Sequence, residues 1–312
     1  LNDFGTVDYF AVQTLTTGIF SLWLESYNPG GAAQLALLAV AIVAVLLWVE
    51  KIGRRKARFN KSGRQMACIQ PQPVTRGVGL LALTFCSLPI VIGFLIPLIV
   101  LVTPALSDSA VWRGVGLWRA AGHSVLLGGI SAVLVVGLSA VMVLGLGTAR
   151  PVMRKFLLTF TTLGYAFPGA VLGLGILTPL ALFDNWVADL IYATFDLDPG
   201  LILTGSVAAL IVAYGVRFFA IGVGATEAGL AVISTNIPLA ARSLGSPPRS
   251  LFLRIYMPLM RGSLASSLVL VFVDTVKELP ATLLLRPFNF EPLSTNKSGQ
   301  TRLKNFSASP FT

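Results

Sequence analysis

The sequence predicts an all-α polytopic membrane protein with about six transmembrane helices, and three observations carry that expectation. Of the 312 residues, 55% are hydrophobic and only 12% are charged, whereas a soluble domain carries about 25% charged residues. Mean hydropathy is +0.81, which excludes an ordinary soluble enzyme and also a disordered chain, since disorder requires few apolar residues. Six stretches supply the roughly 20 apolar residues that a helix needs to cross hydrocarbon. They run over 32–49, 78–103, 123–147, 156–182, 201–223 and 263–285. Some of them contain Gly and Pro, as in Gly164-Tyr165-Ala166-Phe167-Pro168-Gly169, which membrane helices tolerate better than soluble ones.

The third observation is the sorting of charge. Net charge is +10, a balance that in a soluble protein points to nucleic acid. Here the positions of the charges give a different reading. The segment 51–76 carries Lys51, Arg54, Arg55, Lys56, Arg58, Lys61, Arg64 and Arg76 and no acidic residue. Alternating sides from there places 149–155, with Arg150, Arg154 and Lys155, and 217–261, with Arg217, Arg242, Arg249, Arg254 and Arg261, on the same side. By the bias of Lys and Arg that side is cytoplasmic. The opposite loop, 183–200, is acidic, with Asp184, Asp189, Asp196 and Asp198. Arg113 and Arg119 fall on the outer side, where Trp112 and Trp118 suit an interfacial belt. The basic balance is therefore mostly topology, and 51–76 reads as a solvated linker with no nucleic-acid partner. Cys68 and Cys86 are too few for a disulfide framework and read as free thiols.

The longest inside segment, 224–262, has a shape of its own. Asn236 can cap a short helix, Pro238 follows closely, and Gly245 stops it. Ser246-Pro247-Pro248 then opens a second short helix, Arg249 to Tyr256, with Pro258 behind it. Two such helices at a sharp angle form a protruding cytoplasmic knob; the alternative is a re-entrant hairpin that only closes a bundle.

This segment resembles the EAA loop of the membrane subunits of bacterial ABC importers: Glu-Ala-Ala, three residues, Gly, nine residues, Ile, one residue, Leu-Pro. Ala240, Ala241, Gly245, Ile255 and Pro258 stand at those spacings, with Leu239 in place of the Glu and Met257 in place of the Leu. Small Ala residues admit a close partner surface, and Gly permits a break with positive φ. Leu163 to Gly169, and Lys277-Glu278-Leu279-Pro280-Ala281-Thr282-Leu283-Leu284-Leu285-Arg286-Pro287-Phe288-Asn289-Phe290, are similar to the hallmark spans of the iron(III) permease group.

The resemblance implies the ABC importer permease (MetI-like) fold and a chain that is not an enzyme and binds no cofactor itself. ATP and Mg would sit on two partner ATPase subunits docking at Leu239, Ala240, Ala241, Arg242, Gly245, Ile255 and Pro258. A periplasmic binding protein would deliver substrate at the cell inner membrane. Iron(III) is the cargo implied; thiamine, a polyamine or an inorganic anion, or an ion-coupled secondary transporter, are the alternatives.

Those permeases are fusions of two homologous halves, and an internal comparison agrees. Asp3-Phe4-Gly5 aligns with Glu278-Leu279-Pro280, and Leu15-Thr16-Thr17 with Leu293-Ser294-Thr295 across a short gap. The expected organisation is 1–50 as the tail of a first half, 51–76 as linker, 77–295 as the second permease domain and 296–312 as an aberrant polar tail. On this reading the chain is a fragment, lacking most of the first half and the last helix.

Charges inside a span are the remaining signal. Asp274 and Glu278 share a helical face at i, i+4, with Lys277 bordering it at i+3. Intramembrane carboxylates face a cavity or pair with one another. Either the two line a path for a hard trivalent cation that prefers oxygen ligands, or they pair structurally with Lys277. Asp3, the repeat equivalent of Glu278, would face it from the other half, and Pro280 would break the helix end and shape a gate. His123 is the sole histidine and reads as an interfacial residue ahead of its span. Gly173 and Gly175 read as helix-packing positions rather than a phosphate loop, and no metal-ligand spacing occurs in the sequence.

Overall fold

A computed structural model of the chain describes residues 4–55, 75–107, 112, 115–197, 199–234, 236–287, 290 and 292–295. Among them the regular structure is helical throughout. In chain order the helices are α1 (Phe4–Tyr9), α2 (Leu15–Phe20, prolonged by a π turn), α3 (Pro29–Arg55), α4 (Arg76–Ile90), α5 (Ile96–Ser107), α6 (Val115–Gly145), α7 (Pro151–Ala166), α8 (Gly169–Phe195), α9 (Val207–Val232), α10 (Asn236–Ser243), α11 (Pro248–Ser250), α12 (Met257–Leu259), α13 (Arg261–Val276) and α14 (Pro280–Leu285).

Five stretches are long and apolar enough to cross a membrane: Pro29–Glu50, Arg76–Thr103, Gly116–Gly145, Gly169–Phe195 and Val207–Val232. A sixth arises if Leu251–Leu259 and Arg261–Val276, bent by 73° at Met260, count as one broken span. The all-α polytopic expectation therefore holds, but several span limits move. The expected span 156–182 is cut at Phe167-Pro168, where both residues are extended, with ψ of 140° and 142°. Proline disfavours helical backbone in the residue before it, so α7 must stop there. The apolar run expected at 201–223 folds as 207–232, with Ser206 at its N-cap accepting from the Ala209 amide. Arg217 is thus inside a span instead of starting the cytoplasmic loop. His123, expected ahead of its span, is well inside α6 and stacks on Phe290 with ring centroids 4.3 Å apart.

The chain divides into two compact units, Glu50–Trp118 and the remainder. In the first, α4 and α5 run through a π turn at Val91–Leu95 and expose apolar side chains along their length, as a lipid-facing helix does. In the second, α9 is the central helix. Its Leu210, Ala213, Tyr214 and Phe218 are buried among Val135 of α6, Val271 of α13 and Leu285 of α14. Close approach is set by glycines. A β-carbon on Gly164 of α7 would lie 2.2 Å from the Val216 carbonyl oxygen of α9, and one on Gly173 of α8 2.9 Å from Leu284 of α14. Gly175, by contrast, faces open space.

A second cluster gathers Phe4, Ile19, Phe20, Ala32, Ala36 and Ala170, with Leu279 and Leu283 against it. The two aligned stretches take the same element order: each opens on a six-residue helix, α1 and α14. Each then starts a new helical turn at its aligned leucine, Leu15 and Leu293.

Gly164→Ala is expected to destabilise the folded protein by about 1–3 kcal/mol, the usual scale of overpacking, while Gly175→Ala stays within about 0.5 kcal/mol. Thermal denaturation of the two variants in one detergent checks the contrast.

Candidate functional site

Two helix interruptions meet beside α9. The first is Phe167-Pro168 between α7 and α8. The second is Lys277-Glu278-Leu279 between α13 and α14, with Pro280 at the first position of α14. Each leaves backbone groups without intrahelical partners, and proline at a first helical position is favourable because its missing N–H is not needed there. Pro280 therefore begins a helix; the break that precedes it is formed by the three residues before it.

Arg217 of α9 lies between the two interruptions. Its Nε stands 3.2 Å from Glu278 Oε2, with the two side chains 2% and 7% exposed. Its Nη1 donates to the Phe167 carbonyl at 3.5 Å, at the end of α7 where the helix dipole favours a cation. Glu278 Oε1 accepts from the Ala281 amide at 3.4 Å, in the first turn of α14. The Thr282 hydroxyl donates to the Glu278 carbonyl oxygen and shares a hydrogen bond of 2.5 Å with Tyr214 of α9. Directly above the pair, a β-carbon on Gly169 would fall 2.3 Å from Glu278 Oε1 and 2.6 Å from Arg217 Nη1. Any larger side chain at 169 would occupy the volume that the ion pair fills.

This geometry changes the expected grouping of the intramembrane charges. Because α13 ends at Val276, Asp274 and Glu278 do not share one helical face. Asp274 bonds Lys277 at 2.6 Å, with Lys277 itself 69% exposed, and Glu278 turns inward to Arg217. Each carboxylate therefore has its own cation. Asp3 lies outside the described residues, although its neighbour Gly5 places a would-be β-carbon 3.7 Å from Leu279. Arg217 and Gly169 were missed as site residues. The signal was present: the apolar run continues from Phe218 to Ala225, which puts Arg217 in the middle of a helix.

Asp184 was expected in the acidic outer loop 183–200, yet it is buried in α8. Its carboxylate accepts from the backbone amides of Leu203 and Thr204 and fixes the turn that leads into α9. Leu182-Phe183 and Trp186-Val187 around it continue the apolar helical run.

The two short helical stretches expected within 224–262 are present, and the segment that holds them begins after Val232 instead of at 224. Asn236 is the first residue of α10. Gly245 has φ +78°; the Ser246 amide donates to the Ala241 carbonyl at 3.0 Å and the Gly245 amide to Arg242 at 2.9 Å. This is a Schellman termination, in which a left-handed residue satisfies the last carbonyls of the helix. Ala241 is buried, whereas Ala240, Arg242, Leu239 and Leu244 are exposed. The second helical stretch runs past the expected Tyr256 to Leu259, through a π turn at Leu251–Tyr256, so Pro258 lies within it. Ile255 is half-buried and Pro258 exposed.

Residues 141–310, more than half of the chain, match the family described as binding-protein-dependent transport system inner membrane component, and the chain belongs to that family. Within it, the chain is similar to the Fe(3+)-transport system permease protein FbpB 2 of Haemophilus influenzae, with 27% identity over 301 residues. The similarity covers 94% of this chain and 56% of that relative, so the chain spans about half the length of the protein it matches.

Removing one partner of a buried pair strands the other charge, at about 3–5 kcal/mol. Glu278→Leu alone is expected to lose that much stability, and adding Arg217→Met to recover most of it. Lys277→Met, at a pair whose lysine is 69% exposed and whose aspartate is 14% exposed, should cost less than Glu278→Leu because the carboxylate it strands is less deeply buried. Denaturation midpoints of the three variants check the order.

Proposed function

We propose that this chain is part of the permease of an ATP-driven importer in a bacterial inner membrane, carrying iron(III). Family membership and the iron(III) transport named for the Haemophilus influenzae relative support the transport class and the cargo. The observation that carries the mechanism is the Schellman-terminated α10. It presents Leu239 and Leu244, 57% and 86% exposed, beside Arg242 on a short rigid helix. An apolar and basic knob of this kind suits docking into a cleft on an ATPase subunit, one on each half of the transporter. ATP and Mg would be held there, and closure of the ATPase pair would push on α10.

A periplasmic binding protein would deliver the cargo on the opposite face. Glu278 and Pro280 stand at the second interruption, with Asp274 on the last turn of α13 before it; the path would run beside them, and Asp3 would be contributed from the other half. Both described carboxylates are already neutralised by Lys277 and Arg217. Carboxylates paired in this way suit guiding a coordinated ion better than stripping a bare trivalent one, for which free oxygen ligands would be needed.

Gly245→Val should misdirect the knob. A β-branched residue at φ +78° costs about 1–2 kcal/mol locally. In the full-length transporter, ATP hydrolysis should then persist while iron uptake falls; unchanged uptake and ATPase co-purification would reject the docking role.

The orientation is tested separately. With α10 cytoplasmic, a membrane-impermeant maleimide applied from outside should label a cysteine placed at Leu197, which is 66% exposed, and leave Cys68 unmodified. The reverse pattern would invert the topology.

A further inference from the structure

We propose that Arg217 is a positioning residue for transport, a clamp that makes the two helix interruptions move as one body. The inference rests on the transport reading only where uptake is measured.

The guanidinium is planar and forked, so it contacts two groups at once in fixed relative geometry. Here the two groups belong to different interruptions: the Phe167 carbonyl that ends α7 and the Glu278 carboxylate that precedes α14. The polarity suits both ends. A cation lies at the carboxyl end of α7, and an anion lies at the amino end of α14, bonded to the Ala281 amide. Tyr214, one turn before Arg217 on α9, adds a second tie to α14 through Thr282. Gly169 leaves the space in which the clamp sits.

Mere neutralisation of Glu278 would need no contact to Phe167, and a simple ion pair would be indifferent to which partner carries which charge. A clamp is not. Exchanging the charges would set a carboxylate against the Phe167 carbonyl and a cation at the start of α14, so an exchange should fail to rescue.

The test uses the full-length transporter with its ATPase and with Cys68 and Cys86 replaced by Ser. Spin labels at Tyr165 on α7 and Val273 on α13, 44% and 49% exposed, report the separation of the two interrupted helices. The parent should give one narrow distance. Arg217→Met with Glu278→Leu removes both charges, so it should fold, yet broaden the distance distribution and lower uptake per ATP hydrolysed about ten-fold. The exchange Arg217→Glu with Glu278→Arg should not restore either readout. Arg217→Lys, which keeps the charge but not the fork, should broaden the distribution partially, and it decides the matter if the double variants do not fold.

A single narrow distance in the apolar double variant, in the exchange or in Arg217→Lys overturns the clamp. Broadening with full uptake overturns its role in transport. If the parent itself imports no iron, the cargo reading fails while the distance measurement still decides the clamp.

Discussion

Two charges buried in an apolar bundle constrain much of the larger compact unit. Arg217 and Glu278 are each almost fully removed from solvent, a placement that costs several kcal/mol per ion unless partners compensate. Compensation here comes from backbone ends. The carbonyl of Phe167 and the amide of Ala281 are free because the chain is interrupted at Pro168 and again before Pro280. The interruptions therefore stabilise the charges, and the charges hold the interruptions in place. The missing side chain at Gly169 completes the arrangement by leaving the volume empty.

From that centre the packing of the unit follows. α9 carries Arg217 and Tyr214 on the side facing the interruptions and the apolar Leu210, Ala213 and Phe218 around them. Small residues bring its neighbours close: Gly164 admits the backbone of α9 against α7, and Gly222 admits Ser139 of α6, which a β-carbon would approach to 2.4 Å. In a membrane, where lipid is as apolar as leucine, such close contact and internal hydrogen bonds must supply the helix association. Asp184 serves the same end elsewhere, accepting from the amides of Leu203 and Thr204 in the turn before α9.

In the transport reading, the stiff parts and the hinged parts separate cleanly. α10 ends in a closed Schellman motif and can transmit a push without unwinding. The bend at Met260 connects that region to α13, whose far end is the second interruption. A displacement of the knob thus has a continuous covalent route to Glu278, and through Arg217 to the end of α7.

The sequence by itself determined the membrane class, through hydropathy and the sorting of Lys and Arg, because both are sums over many residues and tolerate local error. It also determined the Gly245 break and the spacing of Ala240, Ala241, Ile255 and Pro258, because the φ > 0 requirement is local. The pairing of Lys277 with Asp274 was one of the two readings that i, i+3 spacing allowed. Only the tertiary structure decided the partner of Glu278. Whether α13 runs on to residue 278 or stops at Val276 depends on what lies across from it, and Arg217 is 61 positions away in the chain. Hydropathy read Arg217 as a loop charge and Asp184 as an outer-loop acid because a windowed average treats any charge as an exit from the membrane. A buried charge is affordable only where folding brings a specific counter-charge or free backbone group to it, and that meeting is a property of three dimensions.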